Sequence, residues 1–234
     1  MKNSTVVIAT LSVLALVFVG YKQFSNDHFS AADKAYREGD YEKAIRLFTL
    51  AANESDDLAI YANRANCYSY VGDLDAALKD YKTAIEKAIK VSKDANDPRL
   101  ASLYYNRGYA YQRAKRYEQA IPDYEKTILL DDEYPDVKNN LAWILATCPH
   151  ETLRDPRRAV TIATIECKQK DWKDASLLDT LAAAHASAGN FPKAIERLRQ
   201  AIEIAEDAEI EQEYQTRLAL YLKNKSFIEP IAKD

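Results

Sequence analysis

The sequence is poor in the residues that punctuate sheets and build catalytic centres. Of 234 residues only 5 are Gly and 7 are Pro. Sheet-rich chains need many tight turns, and α/β enzymes carry glycine loops beside their ligands, so both classes are disfavoured. Three Cys without any C-x-x-C spacing exclude a disulfide scaffold. Three scattered His (His28, His150, His185) make no H-x-x-x-H pair, which leaves metal catalysis and Ser-His-Asp chemistry without a starting point. An excess of positive charge is also missing. The 32 Lys+Arg against 36 Asp+Glu leave a net charge of −4, so no nucleic-acid partner is expected, since that needs a concentrated basic surface. What is present is 47% apolar and 29% charged residues, a balance that folds. The expected class is all-α, with no cofactor.

One uncharged run stands out, Ser4 to Gly20, 17 residues between Lys2 and Lys22. At about 1.5 Å per residue it would span about 26 Å as a helix, enough for a thin hydrocarbon core. It can be read as an uncleaved anchor, a cleaved signal peptide or a buried core helix. Cleavage wants small residues at −3 and −1, and cuts near the end of the run place Phe18 or Val17 at −3. The expectation is therefore a single-pass transmembrane anchor over 1–24. Lys2 and the α-amine favour a periplasmic or extracytoplasmic body by the positive-inside rule, with the cytoplasmic face as the alternative. The cysteines pull the other way. Cys148 and Cys167 are too far apart to bridge and Cys67 lies elsewhere, so three free thiols are expected, which oxidising compartments disfavour.

The rest of the chain repeats. REGDYEKAIRLF (Arg37–Phe48), YVGDLDAALKDY (Tyr70–Tyr81), RAKRYEQAIPDY (Arg113–Tyr124) and SAGNFPKAIERL (Ser187–Leu198) share a turn, an apolar residue, then Ala and an apolar residue three and four places on. A second helical stretch precedes each turn, and Gly39 and Gly72 are 33 residues apart. A two-helix unit of about 34 residues is the signature of one repeat class.

These residues closely resemble the tetratricopeptide repeat (TPR) family. In its frame the small positions 8 and 20 fall on Ala32 and Ala44, Ala65 and Ala77, Gly108 and Ala120, Ala142 and Ala159, and Ala182 and Ala194. There two helices cross closely. Position 24 falls on Phe48, Tyr81, Tyr124, Ala163 and Leu198. The resemblance implies a right-handed α-solenoid of about five units over 25–206, near 25–57, 58–100, 101–134, 135–174 and 175–206. A capping helix and tail over 207–234 follow, because a solenoid must cover its last core face. Within 206–223, Ile210, Tyr214, Leu218 and Leu222 form the expected stripe at i, i+4, i+8 and i+12. An extended second helix is expected in the second unit, ending before Asp97-Pro98. Asp155 should cap a helix begun by Pro156, and Pro122 should kink its helix.

The resemblance also implies a concave groove lined by the first helix of each unit. Its candidate peptide-binding residues are Asn63, Asn66 and Tyr70, then Tyr105, Asn106, Tyr109, Gln112 and Arg113, then Asn139, Asn140 and Trp143. Asn carries a donor and an acceptor that suit a peptide amide, and Tyr and Trp add rigid contact area. The same residues also serve as ordinary packing in such helices. The chaperone-type carboxylate clamp is rejected, because its five positions hold Phe29, Asp33, Asn63, Ser102 and Asn106, and only Asn63 fits. Asp131-Asp132-Glu133 reads as a solvated turn, Cys148 with His150 lacks a third metal ligand, and Lys87, Lys90 and Lys93 read as a solvated stripe. The function implied is a non-catalytic, membrane-anchored adaptor for a protein or peptide partner. Such a protein would resemble bacterial envelope proteins that assist assembly of larger complexes. A self-associating structural protein and a regulatory subunit of an enzyme complex are the alternatives; the oligomeric state is not fixed by the sequence.

Overall fold

The structure, a computed structural model, describes residues 27–94 and 96–231. These are helical hairpins and their connections, with no strand among the described residues. The chain divides into two compact units with a boundary between Val137 and Lys138. The first unit contains α1 (Asp27–Arg37), α2 (Tyr41–Glu54), α3 (Leu58–Val71), α4 (Leu74–Ser92), α5 (Ala101–Arg113) and α6 (Tyr117–Leu130). Apart from its first residue, α7 (Val137–Thr147) belongs to the second, with α8 (Pro156–Gln169), α9 (Ala175–Ser187), α10 (Phe191–Ile204) and α11 (Ala208–Tyr221).

Local chemistry starts these helices. Asp40, Asp57, Asp73, Asp155, Asp174, Asn190 and Asp207 each accept a hydrogen bond from a first-turn backbone N–H. Each satisfies a donor that the helix leaves open and contributes about 1 kcal/mol. As expected, α4 runs to 19 residues, and the next segment starts at Asp97-Pro98 with a short 3-10 turn. Pro122 lies on the exposed side of α6, which stays helical over all 14 residues.

One hairpin lacks the devices of its neighbours. The turns before α2, α4 and α10 hold Gly39, Gly72 and Gly189 at φ of 79°, 86° and 77°, each followed by a capping Asp or Asn. The turn before α6 has Lys115 at φ 57° and then Arg116, which makes no side-chain cap. A Cβ in the left-handed region costs about 1 kcal/mol, and a missing cap costs about as much. Lys115→Gly with Arg116→Asn is therefore expected to stabilise the protein by about 1 kcal/mol. That allows for the lost exposed Arg116–Asp75 pair and should appear as a melting temperature about 2–4 °C higher.

The small positions are where the packing is tightest. Ala32, Ala44, Ala65, Ala77 and Ala120 in the first unit are fully buried, as are Ala142, Ala159, Ala182 and Ala194 in the second. A Cβ on Gly108 would lie 3.0 Å from the Tyr124 ring. The position-24 side chains Phe48, Tyr81, Tyr124 and Leu198 are all core residues.

Two expectations are corrected. Among the described residues no helix is long and apolar enough to cross a membrane. The single-pass membrane location, with either face assigned to the body, is therefore withdrawn, and the run over 4–20 on which it rested lies outside the described residues. The stripe on α11 is the second. Tyr214, Leu218 and Tyr221 are buried, whereas Leu222 is 56% exposed. At 3.6 residues per turn, position i+11 returns to within about 20° of the starting face and i+12 overshoots it by about 120°, so Tyr221 seals the stripe instead.

Candidate functional site

In the first unit, α3 and α5 bring Asn66 and Asn106 together, and several of the candidate residues are bonded within the protein. Asn66 Oδ1 accepts from the Tyr81 hydroxyl at 2.7 Å and from Asn106 Nδ2 at 3.4 Å. Gln112 Oε1 accepts from the Tyr124 hydroxyl at 2.6 Å, and Arg113 donates to the Ser69 carbonyl at 2.6 Å. Tyr70 stacks flat on Tyr41 with centroids 4.2 Å apart, and Tyr36 meets it edge-on at 6.0 Å. Tyr105 lies 6.4 Å from Tyr109 and 4.8 Å from Tyr134. Burial pushes the Tyr109 hydroxyl above its usual range and Tyr134 up to about 12, so these rings stay neutral. Asn63 is half-buried, and its side-chain amide takes no part in these hydrogen bonds. It leaves an amide on the same helix as Asn66.

Sequence reasoning missed the charges beneath this face. Arg64 binds Asp80 at 2.6 and 2.9 Å, and Arg107 binds Asp123 at 2.7 Å through both nitrogens. The signal was available: Asn-Arg-small recurs at 63–65 and 106–108, with Asp-Tyr sixteen residues after each Arg. The hydrogen bonds that Arg64 donates to Asp80 hold it charged, above its usual pKa. These pairs lock each first helix to its second and orient the Tyr that follows the Asp.

In the second unit the candidates on α7 have different surroundings. Asn139 Oδ1 is buried without a hydrogen-bond partner among the described residues, and Asn140 is half-buried. Trp143 is covered by the chain's own C-terminal segment. Its Nε1 donates to Glu229 at 3.0 Å, its ring lies 5.8 Å from Phe227, and Arg217 sits 5.5 Å from its centroid. Nothing in the sequence pattern of 222–231 pointed to this contact.

The remaining candidates are structural. The cysteines Cys67, Cys148 and Cys167 are free and buried. Burial pushes Cys67 up to about 12 and Cys167 up to about 11, so neither is a thiolate nucleophile. No metal-binding cluster occurs among the described residues. His185 is half-buried, and burial lowers its pKa. Lys87 departs from the solvated stripe: it pairs with Asp56 and lies 5.1 Å above the Tyr61 ring.

Comparison with known proteins agrees with this architecture. Residues 56–132 and 175–208 each match family models described as tetratricopeptide repeat. Human DnaJ homolog subfamily C member 7 is 30% identical over 99 residues, 40% of this chain and 18% of that protein. Small glutamine-rich tetratricopeptide repeat-containing protein 2 of Mycosarcoma maydis is 30% identical over 111 residues, 47% of this chain. The chain spans only 29% of the latter's length. Among solved structures, YrrB, described as a TPR protein with an unusual peptide-binding site, has a TM-score of 0.64 at 17% identity. That match covers 81% of this chain and 90% of YrrB. MamA has a TM-score of 0.60 at 18% identity over 79% of this chain and 96% of its own. At such identities these structures speak for the fold alone. Residues 56–132 and 175–208 are tetratricopeptide repeats, set in an all-helical, solenoid-like fold.

Proposed function

We propose that this protein is a non-catalytic adaptor that holds an extended protein or peptide segment against the first-helix face of its N-terminal unit. The observation that carries the reading is the row from Asn63 through Asn106 to Tyr109 on α3 and α5. There the Asn63 amide and the Asn66–Asn106 pair share the α3–α5 face with half-buried Tyr105 and Tyr109, on helices that the Arg64–Asp80 and Arg107–Asp123 pairs lock to α4 and α6. Such a surface offers donors and acceptors for a backbone and neutral aromatic area for side chains. TPR proteins generally serve as protein-interaction scaffolds, and the peptide-binding site named for YrrB lends support.

The ligand is an internal segment and not a terminal carboxylate. Where a clamp would need its first cation, Phe29 packs edge-on to Phe48 at 5.6 Å, and at the next clamp position Asp33, which would repel a carboxylate, is paired to Arg37 at 2.7 Å. The test is selection of random peptides on the purified chain. Asn106→Ala with Tyr109→Ala is expected to weaken the selected peptides by at least about tenfold, about 1.4 kcal/mol, with helicity unchanged. Equal affinity for both proteins would remove this face from the function.

A further inference from the structure

The chain does not stop at α11. After Tyr221 the backbone reverses through Asn224 at φ 54°, closed by the Lys225 N–H donating to the Leu220 carbonyl at 3.0 Å. Residues 225–231 then run without regular structure. Ser226 and Phe227 are both half-buried, and from Phe227 to Pro230 the burial alternates: Phe227 and Glu229 face inward, whereas Ile228 is 39% exposed and Pro230 is exposed. That is the period of an extended segment laid on a surface.

Each inward group meets a matching one. The Ser226 hydroxyl donates to the Ala186 carbonyl at 2.8 Å, near the end of α9, and the Glu229 N–H donates to the Thr147 carbonyl at 2.8 Å, at the end of α7. Both acceptors are last-turn carbonyls: that of Thr147 lies beyond the reach of the α7 ladder, and that of Ala186 also accepts from the Gly189 N–H at 3.0 Å. Phe227 is held between Trp143 and the Arg217 guanidinium, 5.5 Å from its ring centroid. The Glu229 carboxylate takes the Trp143 indole N–H at 3.0 Å. Hydroxyl, aromatic and acidic positions are thus read together with one main-chain N–H. This is how a groove recognises an extended peptide.

We propose that the face formed by α7, α9 and α11 is a binding site for extended peptides of the form Ser/Thr–aromatic–x–acidic, and that residues 226–229 occupy it in cis as a displaceable ligand. This inference rests on the reading that first-helix faces take up peptides, and it specifies the sequence class for the second unit. The short link from Tyr221 gives the tail an effective concentration on the order of millimolar. A partner of the same pattern therefore gains access only by outcompeting the tail.

The probe is a labelled peptide with the sequence of residues 223–234, titrated into the full chain and into the full chain carrying Phe227→Ala with Glu229→Ala. The double variant is expected to bind it at least about tenfold more tightly than wild type. Adding Trp143→Ala should abolish that gain, and a control peptide with the same two alanines should not bind. Equal affinity for wild type and variant, including none for either, overturns the proposal, as does equal binding of the control peptide. If wild type sediments as a dimer and the variant as a monomer, the tail sits on a second copy and the assignment in cis is wrong. Should the variant lose helicity, Ser226→Ala with Glu229→Gln, which keeps the Phe227 ring in place, carries the same comparison. Failure here with retained binding of selected peptides by the first unit would remove this inference alone.

Discussion

Replacing Arg217 by Ala is expected to destabilise the second unit by about 3–5 kcal/mol. Arg217 is 8% exposed and binds Asp179, which is 5% exposed, through two contacts of 2.9 Å. It also faces the Trp143, Tyr214 and Phe227 rings at 5.3–5.5 Å. Truncation would leave the Asp179 carboxylate buried beside an empty site, and that uncompensated charge carries most of the cost. Burial pushes the Asp179 carboxyl up to about 6, against the pull of Arg217, so desolvation outweighs attraction in this pair. Asp179→Leu with Arg217→Met should therefore recover most of the loss. Denaturant midpoints at constant slope measure both steps. The pH dependence has a definite sign. Between about pH 4 and pH 6 the folded state holds a proton that the unfolded state has released. Wild type should therefore gain stability relative to the double variant as pH falls through that window and lose it as pH rises through 6.

The parts of this protein that a sequence reveals are those fixed by short-range repetition. Ala44, Ala77, Ala120 and Ala194 recur because two helices can cross closely only over a small side chain, and each is fully buried. The longer α4 and the Asp155-Pro156 start were legible for the same reason, since capping chemistry is local. Contacts set by distance along the chain were not. Asn66, Asn106, Gln112 and Arg113 read as a ligand-facing row, yet each also bonds within the protein, either to the neighbouring first helix or to a tyrosine of its own second helix. Trp143 and Phe227 are 84 positions apart in sequence. Residues 222–231 carry no helical period and only one Pro, so nothing marked them as a packed segment.

Tyr124→Ala should destabilise the first unit by about 3–5 kcal/mol, the range for deleting a large buried ring. Tyr124 is fully buried, its hydroxyl donates to Gln112, and its ring is the nearest neighbour of Gly108. The two positions form one packing device, with the missing side chain on α5 making room for the large one on α6. Tyr124→Phe isolates the hydroxyl and should cost about 1 kcal/mol, the net worth of one hydrogen bond. Gly108→Ala sets two terms against each other. Ala gains about 1 kcal/mol of helix propensity over Gly, but its Cβ would sit 3.0 Å from the ring and 3.1 Å from Asp123 Cβ. Overpacking of that kind costs about 1–3 kcal/mol, so the expected net is a small loss. If the close contact is the cause, Gly108→Ala becomes stabilising by up to about 1 kcal/mol in a Tyr124→Leu background, where the ring is gone. A double-mutant cycle over Gly108 and Tyr124 reads the coupling directly. A coupling near zero would mean that the glycine is not there to admit the tyrosine.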